Sequence, residues 1–294
     1  GLCTGKVDDR VVKVETGAEF ERFCKVLQSS EHPKSSEEEF EEIHPKLNLT
    51  QILQFERNGH ILVKELVSGG GLQELQSAVK TEFETHLFEA YVQKIRLFAE
   101  DDDDEELRRK GEEVKSLEEA RDVLESWCKE NETPIPFLQV FNPHRGTSEG
   151  SKTIKKLVLD SDLGQIACDL LDVDGVRVYQ SAVFYKASGH GETSWHADLP
   201  IAPFDTNEFV TCWIPLTPIR SVMEAPLEFA SGSHRDVALP FWYNLDGMDD
   251  PGGDPRSYEV SSHLPLDSGD STWHHGWVFH SSPPNEGRRD RMAL

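Results

Sequence analysis

The sequence predicts an α+β fold, mainly β, in which a helical N-terminal region precedes a C-terminal β-sandwich or barrel. Two observations support this prediction. Up to about residue 130, apolar residues recur every three or four positions, the spacing of amphipathic helices. From about residue 134, Pro and Gly become frequent and short apolar runs alternate with turn signals, which is typical of short strands. With 294 residues, the chain can bury a large core.

Residues 1–45 are polar and rich in glutamate, so we predict a polar N-terminal extension. The chain does not begin with Met, and its last residues, up to Leu294, look like part of a strand. We therefore expect both ends to be truncated, and a targeting segment to be missing from the N-terminus.

Residues 46–133 are predicted to be mainly helical. A first helix with apolar spacing is expected to end at Gly59 and lead into a strand. The residues from 69 to 100 have the periodicity of one long amphipathic helix, and 116–127 that of another. Between them, Glu100 to Glu106 is an unbroken acidic run. Because like charges oppose burial, we expect an exposed, mobile loop at 100–106 with no part in catalysis.

Composition excludes several classes of partner. Lys plus Arg is 30 and Asp plus Glu is 54, a formal net charge of −24. A chain this acidic repels nucleic acid and anionic membrane surfaces. No apolar run approaches the roughly 20 residues of a membrane span. The five cysteines are odd in number and form no CxxC pair, so we expect reduced thiols and an intracellular, cytoplasmic location. The oligomeric state is not predicted.

The residues that carry chemistry lie in the predicted β region, 134–294. His196 and Asp198 are two residues apart, so on a strand both side chains would point to one face. Far downstream lie His274, His275 and His280. Two imidazoles and one carboxylate on one face of an octahedron form the facial triad of non-haem Fe(II) oxygenases and leave three positions open. The HxD pair alone occurs often by chance, and a lone buried His is more often a packed core residue.

A basic cluster follows the last of these histidines in an otherwise acidic chain. It contains Arg288, Arg289 and Arg291. A buried arginine can grip a carboxylate with two parallel hydrogen bonds, so this cluster is a candidate anchor for a dianion such as 2-oxoglutarate. If the segment is a strand, Arg289 and Arg291 face the same side. The alternative is a solvated loop.

The sequence resembles the phytanoyl-CoA dioxygenase family from about Leu47 to the end of the chain. The blocks that carry the resemblance include FERNGHILVKELVS, VDGVRVYQSAVFYKASGHGETSWHADL and GDSTWHHGWVFHSSPPNEGRRDR. The resemblance implies a double-stranded β-helix (a jelly-roll, cupin-like core) with Fe(II), 2-oxoglutarate and O2 as cofactor and co-substrates. The segment from Leu239 to Pro255 is a long insertion-like departure from the family pattern, so substrate identity cannot be carried over.

The resemblance also implies roles for individual residues. The pair His275-Gly276 selects His280 as the third metal ligand, beside His196 and Asp198. Core packing explains two further positions equally well: Gln139 among the co-substrate residues, and Gln180 in the substrate pocket. The remaining residues expected to touch 2-oxoglutarate are Arg291 as the anchor, Arg289 in reserve, Ser282 and Trp213.

The expected activity is oxidation of an unactivated C–H bond of a small-molecule metabolite, with release of succinate and CO2. Hydroxylation is the default, while desaturation and ring closure would use the same residues. The carboxylate of Asp198 disfavours halogenation, since halogenating relatives have a small residue there. Two rival functions stay open: a zinc hydrolase, because the same ligands bind zinc, and a non-catalytic metal-binding β-helix that senses a small molecule.

Overall fold

The computed structural model describes residues 47–236 and 258–294. It also describes the backbone of one antiparallel strand pair, β1 (Cys3–Val7) with β2 (Arg10–Val14), inside the predicted polar extension. The insertion-like segment from Leu239 to Pro255 lies outside the described residues.

The first predicted helix and strand are confirmed. Helix α1 begins after Asn48, whose side chain accepts a hydrogen bond from the Gln51 backbone N–H while the Gln51 side chain accepts one from the Asn48 N–H. It ends at Gly59, which has φ 78°. A Cβ at this glycine would lie 2.5 Å from the imidazole of His234, so both the turn and the packing require glycine. Strand β3 follows directly.

The other helices refine the prediction. The long helix expected from 69 to 100 is two helices that meet at His86, whose φ and ψ of −106° and 18° are not helical. Two helices, α6 and α7, lie inside the region predicted to be β. The described helices are α1 (Leu49–Asn58), α2 (Gly69–Thr85), α3 (Leu87–Asp101), α4 (Glu105–Glu113), α5 (Leu117–Glu130), α6 (Glu149–Asp160) and α7 (Leu163–Leu171).

The acidic run is exposed, as predicted, but it is not a loop. Its first residues end α3, a two-residue turn follows, and Asp104 begins α4 by accepting a hydrogen bond from the Leu107 N–H at 2.9 Å. The other carboxylate oxygen of Asp104 accepts one from the Trp127 indole at 2.8 Å. The prediction of a loop was wrong because acidic residues stabilise the beginning of a helix. Mobility of this segment, and its lack of a catalytic role, stay predictions.

The strands pair antiparallel in every described sheet. One sheet has the order β3-β10-β7, a second β6-β11-β8-β9, and a third β12-β5-β4. The mixed, antiparallel architecture confirms the predicted fold class. The strands are β3 (His60–Val63), β4 (Leu138–Phe141), β5 (Ala182–Lys186), β6 (Thr193–His196), β7 (Val210–Trp213), β8 (Glu228–Ser231), β9 (Glu259–Ser261), β10 (Ser271–His275), β11 (His280–Ser282) and β12 (Arg291–Ala293).

Alternation along β5 separates the helical layer from the site. Val183 is fully buried in the large core that also contains α2 and α3, and the Tyr185 ring lies 4.6 Å from that of Phe83 on α2. Because successive side chains on a strand point to opposite faces, Lys186 points away from the helices. It lies directly opposite Arg291 on β12.

Two rows of side chains face each other between the first and second sheets. On the first sheet, His274 of β10 lies between His60 of β3 and Thr211 of β7. On the second sheet, His280 of β11 lies between Phe229 of β8 and His196 of β6. The rows are in contact: ring centroids are 4.5 Å apart for His60 and Phe229, and 4.4 Å apart for His274 and His280. The predicted ligand residues therefore meet between two sheets.

Candidate metal and co-substrate site

His196, Asp198 and His280 converge as the sequence predicted. Each offers one ligand atom, and these three atoms all lie within 4.8 Å of one another. Oδ1 of Asp198 is 3.8 Å from Nε2 of His196 and 3.7 Å from Nε2 of His280. Two imidazoles and one carboxylate at this spacing can hold a divalent transition metal. His275 does not join this group, nor does His274.

The backbone conformation that brings His196 and Asp198 together differs from the prediction. Strand β6 ends at His196, and Asp198 has helical φ and ψ of −75° and −38° at the start of a short 3₁₀ turn, Leu199–Ile201. The Leu199 N–H donates to Gly276 O at 2.9 Å, which ties this turn to the loop before β11. The prediction that both residues lie on one strand was wrong. The turn brings the carboxylate beside the imidazoles instead.

Main-chain carbonyls orient the imidazoles of both His196 and His280. Nδ1 of His196 lies 2.8 Å from Ser194 O, and Nδ1 of His280 lies 3.2 Å from Val278 O. Since a carbonyl can only accept, Nδ1 carries the proton and the lone pair of Nε2 faces the site. Burial lowers the pKa of His280 well below its ordinary value, and the neighbouring imidazoles of His196 and His274 lower it further. A neutral imidazole is the form that binds metal.

The Asp198 carboxylate is held by two residues that the sequence did not single out for this role. Oδ2 accepts a hydrogen bond from Thr211 Oγ1 at 2.6 Å and lies 3.1 Å from His274 Nε2. Burial by itself raises the pKa of Asp198. The imidazoles of His280 and His274, with the Thr211 hydrogen bond, more than reverse this and hold it well below its usual range. Asp198 is therefore an anion at neutral pH.

Arg291 is buried beside two of its predicted neighbours. Its Nη1 donates to Ala225 O at 2.8 Å and to Ser282 Oγ at 3.1 Å. Its guanidinium carbon lies 5.4 Å from the centre of the Trp213 ring. The structure thus brings together Arg291, Ser282 and Trp213, three of the five residues that the family resemblance assigned to 2-oxoglutarate.

Lys186 is a second buried cation at this place, and sequence reasoning missed it. Its Nζ donates to Ser282 Oγ and Ser282 O at 3.2 Å and to Pro283 O at 3.0 Å. Burial, and then the nearby Arg291, lower the pKa of Lys186 to about 7. The alternation of Ala182, Phe184 and Lys186 along the apolar run before the HxD pair was the signal that could have shown it pointing inward.

The two cations fit an anion. Within the described ranges, neither Arg291 nor Lys186 has a carboxylate oxygen within 4.0 Å. Nε of Arg291 and Oγ1 of Thr272 are buried and have no hydrogen-bond partner among the residues that the structure describes, and Thr272 lies opposite Trp213 in the strand register. Because buried polar groups are almost always paired, these free donors mark a place where a carboxylate would complete the structure.

Three predicted residues lie elsewhere. Arg289 is exposed, and its Nη2 lies 3.0 Å from a Glu224 oxygen. It precedes β12, so strand alternation does not place it on the same face as Arg291. The prediction that these two arginines face the same side was wrong. Gln180 is exposed and precedes β5 rather than lying on a strand. Gln139 does lie on β4, but it lines a cavity of about 260 Å³ that contains no residue of the triad. The roles of both glutamines stay predictions.

A family model decides the classification. The model for phytanoyl-CoA dioxygenase (PhyH) matches residues 55–293. The chain belongs to the phytanoyl-CoA dioxygenase family. It is therefore an oxidoreductase of the non-haem iron, 2-oxoglutarate-dependent type, as the sequence predicted. The match runs from the last turn of α1 to the end of β12 and includes every residue of the candidate site.

Solved structures share the fold of this phytanoyl-CoA dioxygenase family member. SnoK, a non-haem α-ketoglutarate-dependent carbocyclase from nogalamycin biosynthesis, is 18% identical with a TM-score of 0.61, covering 84% of this chain and 82% of its own. EctD from S. alaskensis with bound Fe is 16% identical with a TM-score of 0.57, covering 85% and 78%. AviO1 from Streptomyces viridochromogenes Tue57 is 18% identical with a TM-score of 0.52, covering 85% and 94%. No curated protein sequence matches.

Proposed function

We propose that His196, Asp198 and His280 hold Fe(II), that Arg291 anchors 2-oxoglutarate, and that the enzyme oxidises an unactivated C–H bond of a small-molecule metabolite. Hydroxylation is the simplest outcome. The triad is a donor set that Fe(II) accepts, and the two buried cations, Arg291 and Lys186, fit a dianion.

The distance between the metal-binding triad and the two buried cations carries this proposal. On β11, Ser282 at the cations lies two residues from His280 at the triad. On β7, Trp213 beside Arg291 lies two residues from Thr211, which contacts Asp198. Residues two apart on a strand share a face and are separated by roughly 6.8 Å. A five-carbon dicarboxylate has about this length, so one molecule could reach the metal with its 2-oxo acid group and Arg291 with its distal carboxylate.

Fe(II) with 2-oxoglutarate and O2 supplies an oxidant for C–H cleavage while 2-oxoglutarate becomes succinate and CO2. The residues of this chain bind and orient. His196, Asp198 and His280 would hold the metal, while Arg291 and Lys186 would neutralise the distal carboxylate of 2-oxoglutarate. The carboxylate of Asp198 occupies the position that a halide would need, which favours oxygenation over halogenation.

An aromatic surface next to the triad supports an apolar portion in the substrate. Tyr179 packs against Phe204 and Phe209, with ring centroids 4.7 and 6.4 Å away. The backbone of Phe209 is joined to Gly276, which in turn accepts from the Leu199 N–H after Asp198. Gln180 follows Tyr179 directly, so a substrate on this surface would be within its reach. Its role as a pocket residue belongs to this proposal.

The test is release of succinate from 2-oxoglutarate by the purified chain, with Fe(II) and O2 each omitted in turn. Succinate that depends on both supports the proposal. A pool of metabolites is then screened for compounds that raise this turnover, and the product of a positive compound is identified by mass spectrometry. Zinc-dependent hydrolysis without succinate would favour a hydrolase, and metal binding without any turnover would favour a sensor.

No helix within the described residues is long and apolar enough to cross a membrane. The intracellular, cytoplasmic location and the expected lack of nucleic-acid and membrane partners stay predictions from composition.

A further inference from the structure

We infer that Thr211 and His274 form a clamp that fixes Asp198 as a one-oxygen metal ligand and so keeps coordination positions open for the co-substrates. Because the clamp acts on a metal ligand, it rests on the function proposed above. Thr211 and His274 are positioning residues: they touch Asp198 and are not themselves members of the metal-binding group.

The geometry divides the two carboxylate oxygens of Asp198 between two tasks. Oδ2 is 2.6 Å from Thr211 Oγ1 and 3.1 Å from His274 Nε2. Oδ1 is 3.8 Å and 3.7 Å from the Nε2 atoms of His196 and His280. One oxygen is thus occupied by donors, and the other points to the place where a metal would lie.

The two donors come from neighbouring strands in register. His274 on β10 lies directly opposite Thr211 on β7, so their side chains leave the sheet from one spot and on one face. The sheet that carries them supplies none of the three ligands, which come from β6, β11 and the turn after β6. The clamp therefore reaches Asp198 from the opposite wall of the site.

The chemistry of each donor fits its role. An ionised carboxylate only accepts, so Thr211 must donate its hydroxyl proton and His274 its Nε2 proton. His274 is 1% exposed, and its Nδ1 is buried without a hydrogen-bond partner in the described part of the chain. A protonated Nδ1 would be a buried donor with no acceptor, which is costly. The geometry therefore places the donated proton of His274 on Nε2.

A clamp is needed because the backbone at Asp198 does not fix the carboxylate. Asp198 lies in a turn after the end of β6 rather than inside a strand, and its side chain is 21% exposed. A free carboxylate can turn and bind a metal through both oxygens, which would use one of the three positions that a facial triad leaves open. Two hydrogen bonds to Oδ2 oppose that rotation.

The experiment compares Thr211→Val and His274→Phe, which remove one donor each while keeping most of the side-chain volume. The Fe(II) dissociation constant is measured anaerobically by competition with a chelator, and the coordination number is read from the absorption spectrum of the Co(II)-loaded protein. We expect Fe(II) affinity to fall by about 10- to 100-fold in each variant. We also expect a Co(II) spectrum shifted toward higher coordination, as Asp198 becomes two-oxygen.

Two further variants give the matched comparison. Thr211→Ser keeps a hydroxyl and is expected to retain the affinity of the original chain. His263→Phe is the control for His274→Phe. His263 Nε2 lies 2.9 Å from His60 Nδ1 and makes no hydrogen bond or ion pair with Asp198, so its loss should leave Fe(II) affinity unchanged. Thermal unfolding identifies any variant that fails to fold. If His274→Phe fails to fold, the comparison of Thr211→Val with Thr211→Ser tests the clamp.

The outcomes separate this inference from the proposed function. Failure of the original chain to bind Fe(II) would overturn both. Normal Fe(II) binding by the original chain, with Thr211→Val and folded His274→Phe unchanged in affinity and Co(II) spectrum, would overturn the clamp alone. An equal loss in His263→Phe would show that the effect arises from general disturbance of the histidine-rich core, and would also overturn the clamp.

Discussion

The two ends of the site carry opposite charges. The metal end consists of His196, Asp198 and His280. There, one carboxylate is surrounded by imidazoles and hydrogen-bond donors. The basic end consists of Lys186, Arg291 and Ser282. It holds two cations and, within the described residues, no carboxylate within 4.0 Å of either.

The two ends of the site also differ in how far their side chains are exposed to water. The side chains of His196 and Asp198 are 35% and 21% exposed, whereas Arg291 is 4% and Lys186 0% exposed. Water can partly solvate the charge at the metal end, but not at the basic end. Removing charged groups from water is costly unless they are paired. The metal end thus attracts a cation, whereas the buried cations of the basic end favour a carboxylate partner. One dicarboxylate could bind the metal at one end and pair with these cations at the other.

The largest expected effect tests the metal end. His196→Ala, Asp198→Ala and His280→Ala should each reduce bound iron to background and abolish succinate release, because two remaining ligands cannot hold Fe(II) on one face. Iron content is measured after anaerobic reconstitution and gel filtration. His274→Ala should still bind iron, though more weakly, since His274 contacts the Asp198 carboxylate but is not a member of the metal-binding group. Stoichiometric iron and full activity in His280→Ala would contradict the assignment.

Arg291→Ala tests the basic end. Removing the partner of a buried carboxylate costs roughly 2–5 kcal/mol, about 30-fold to several thousand-fold in affinity. We therefore expect the KM for 2-oxoglutarate to rise by at least about tenfold, with Fe(II) affinity nearly unchanged. Succinate release is measured against 2-oxoglutarate concentration.

Exposed arginines near Arg291 provide the controls. Arg288→Ala should do little. Arg289→Ala should also do little, because Arg289 is paired with Glu224 on the surface. A large rise in KM in Arg289→Ala with none in Arg291→Ala would place the anchor outside the basic end, and would break the comparison between the two ends.

A pH dependence sharpens the comparison further. With the pKa of Lys186 lowered to about 7, the free protein loses the Lys186 proton above pH 7. A bound carboxylate favours the protonated lysine, so binding above pH 7 must take up a proton. The 2-oxoglutarate dissociation constant should therefore rise with pH between 7 and 9, by at most about tenfold per unit. Arg291, with its pKa lowered to about 10 by burial, stays charged in this range.

Anaerobic calorimetry on Mn(II)-loaded protein measures this dependence without oxidation of the metal. Lys186→Met removes the titrating group and should flatten the curve between pH 7 and 9, while weakening binding at pH 7. The nearby His190, whose pKa burial lowers to about 4, does not titrate in this window. A slope that persists in Lys186→Met would assign the proton to another group.

The smallest effect lies far from both ends. Asp104→Ala removes the carboxylate that begins α4 and accepts from the Trp127 indole. Loss of such a cap should lower the melting temperature by about 2–4 °C. Fe(II) and 2-oxoglutarate affinities should not change. Differential scanning calorimetry and the two binding assays give all three values, and a change in either affinity would mean that stability alone perturbs the site.

The sequence by itself determined the residue types at the metal end and the arginine at the basic end. The HxD spacing, the distal His280 and the basic cluster beyond it name residue types whose ligand chemistry is fixed by their side chains. The periodic segments likewise predicted α1 and α5, and Gly59 marked where α1 ends, because capping depends on local backbone bonds.

Only the tertiary structure decided which polar side chains meet. Thr211 and His274 are 63 residues apart in the chain and contact one oxygen of Asp198 because β7 and β10 pair in register. Lys186 and Arg291 meet across β5 and β12 in the same way. Strand register depends on contacts between distant segments, and no local pattern contains it. For the same reason, alternation within one segment placed Arg289 beside Arg291, while the real strand begins only at Arg291.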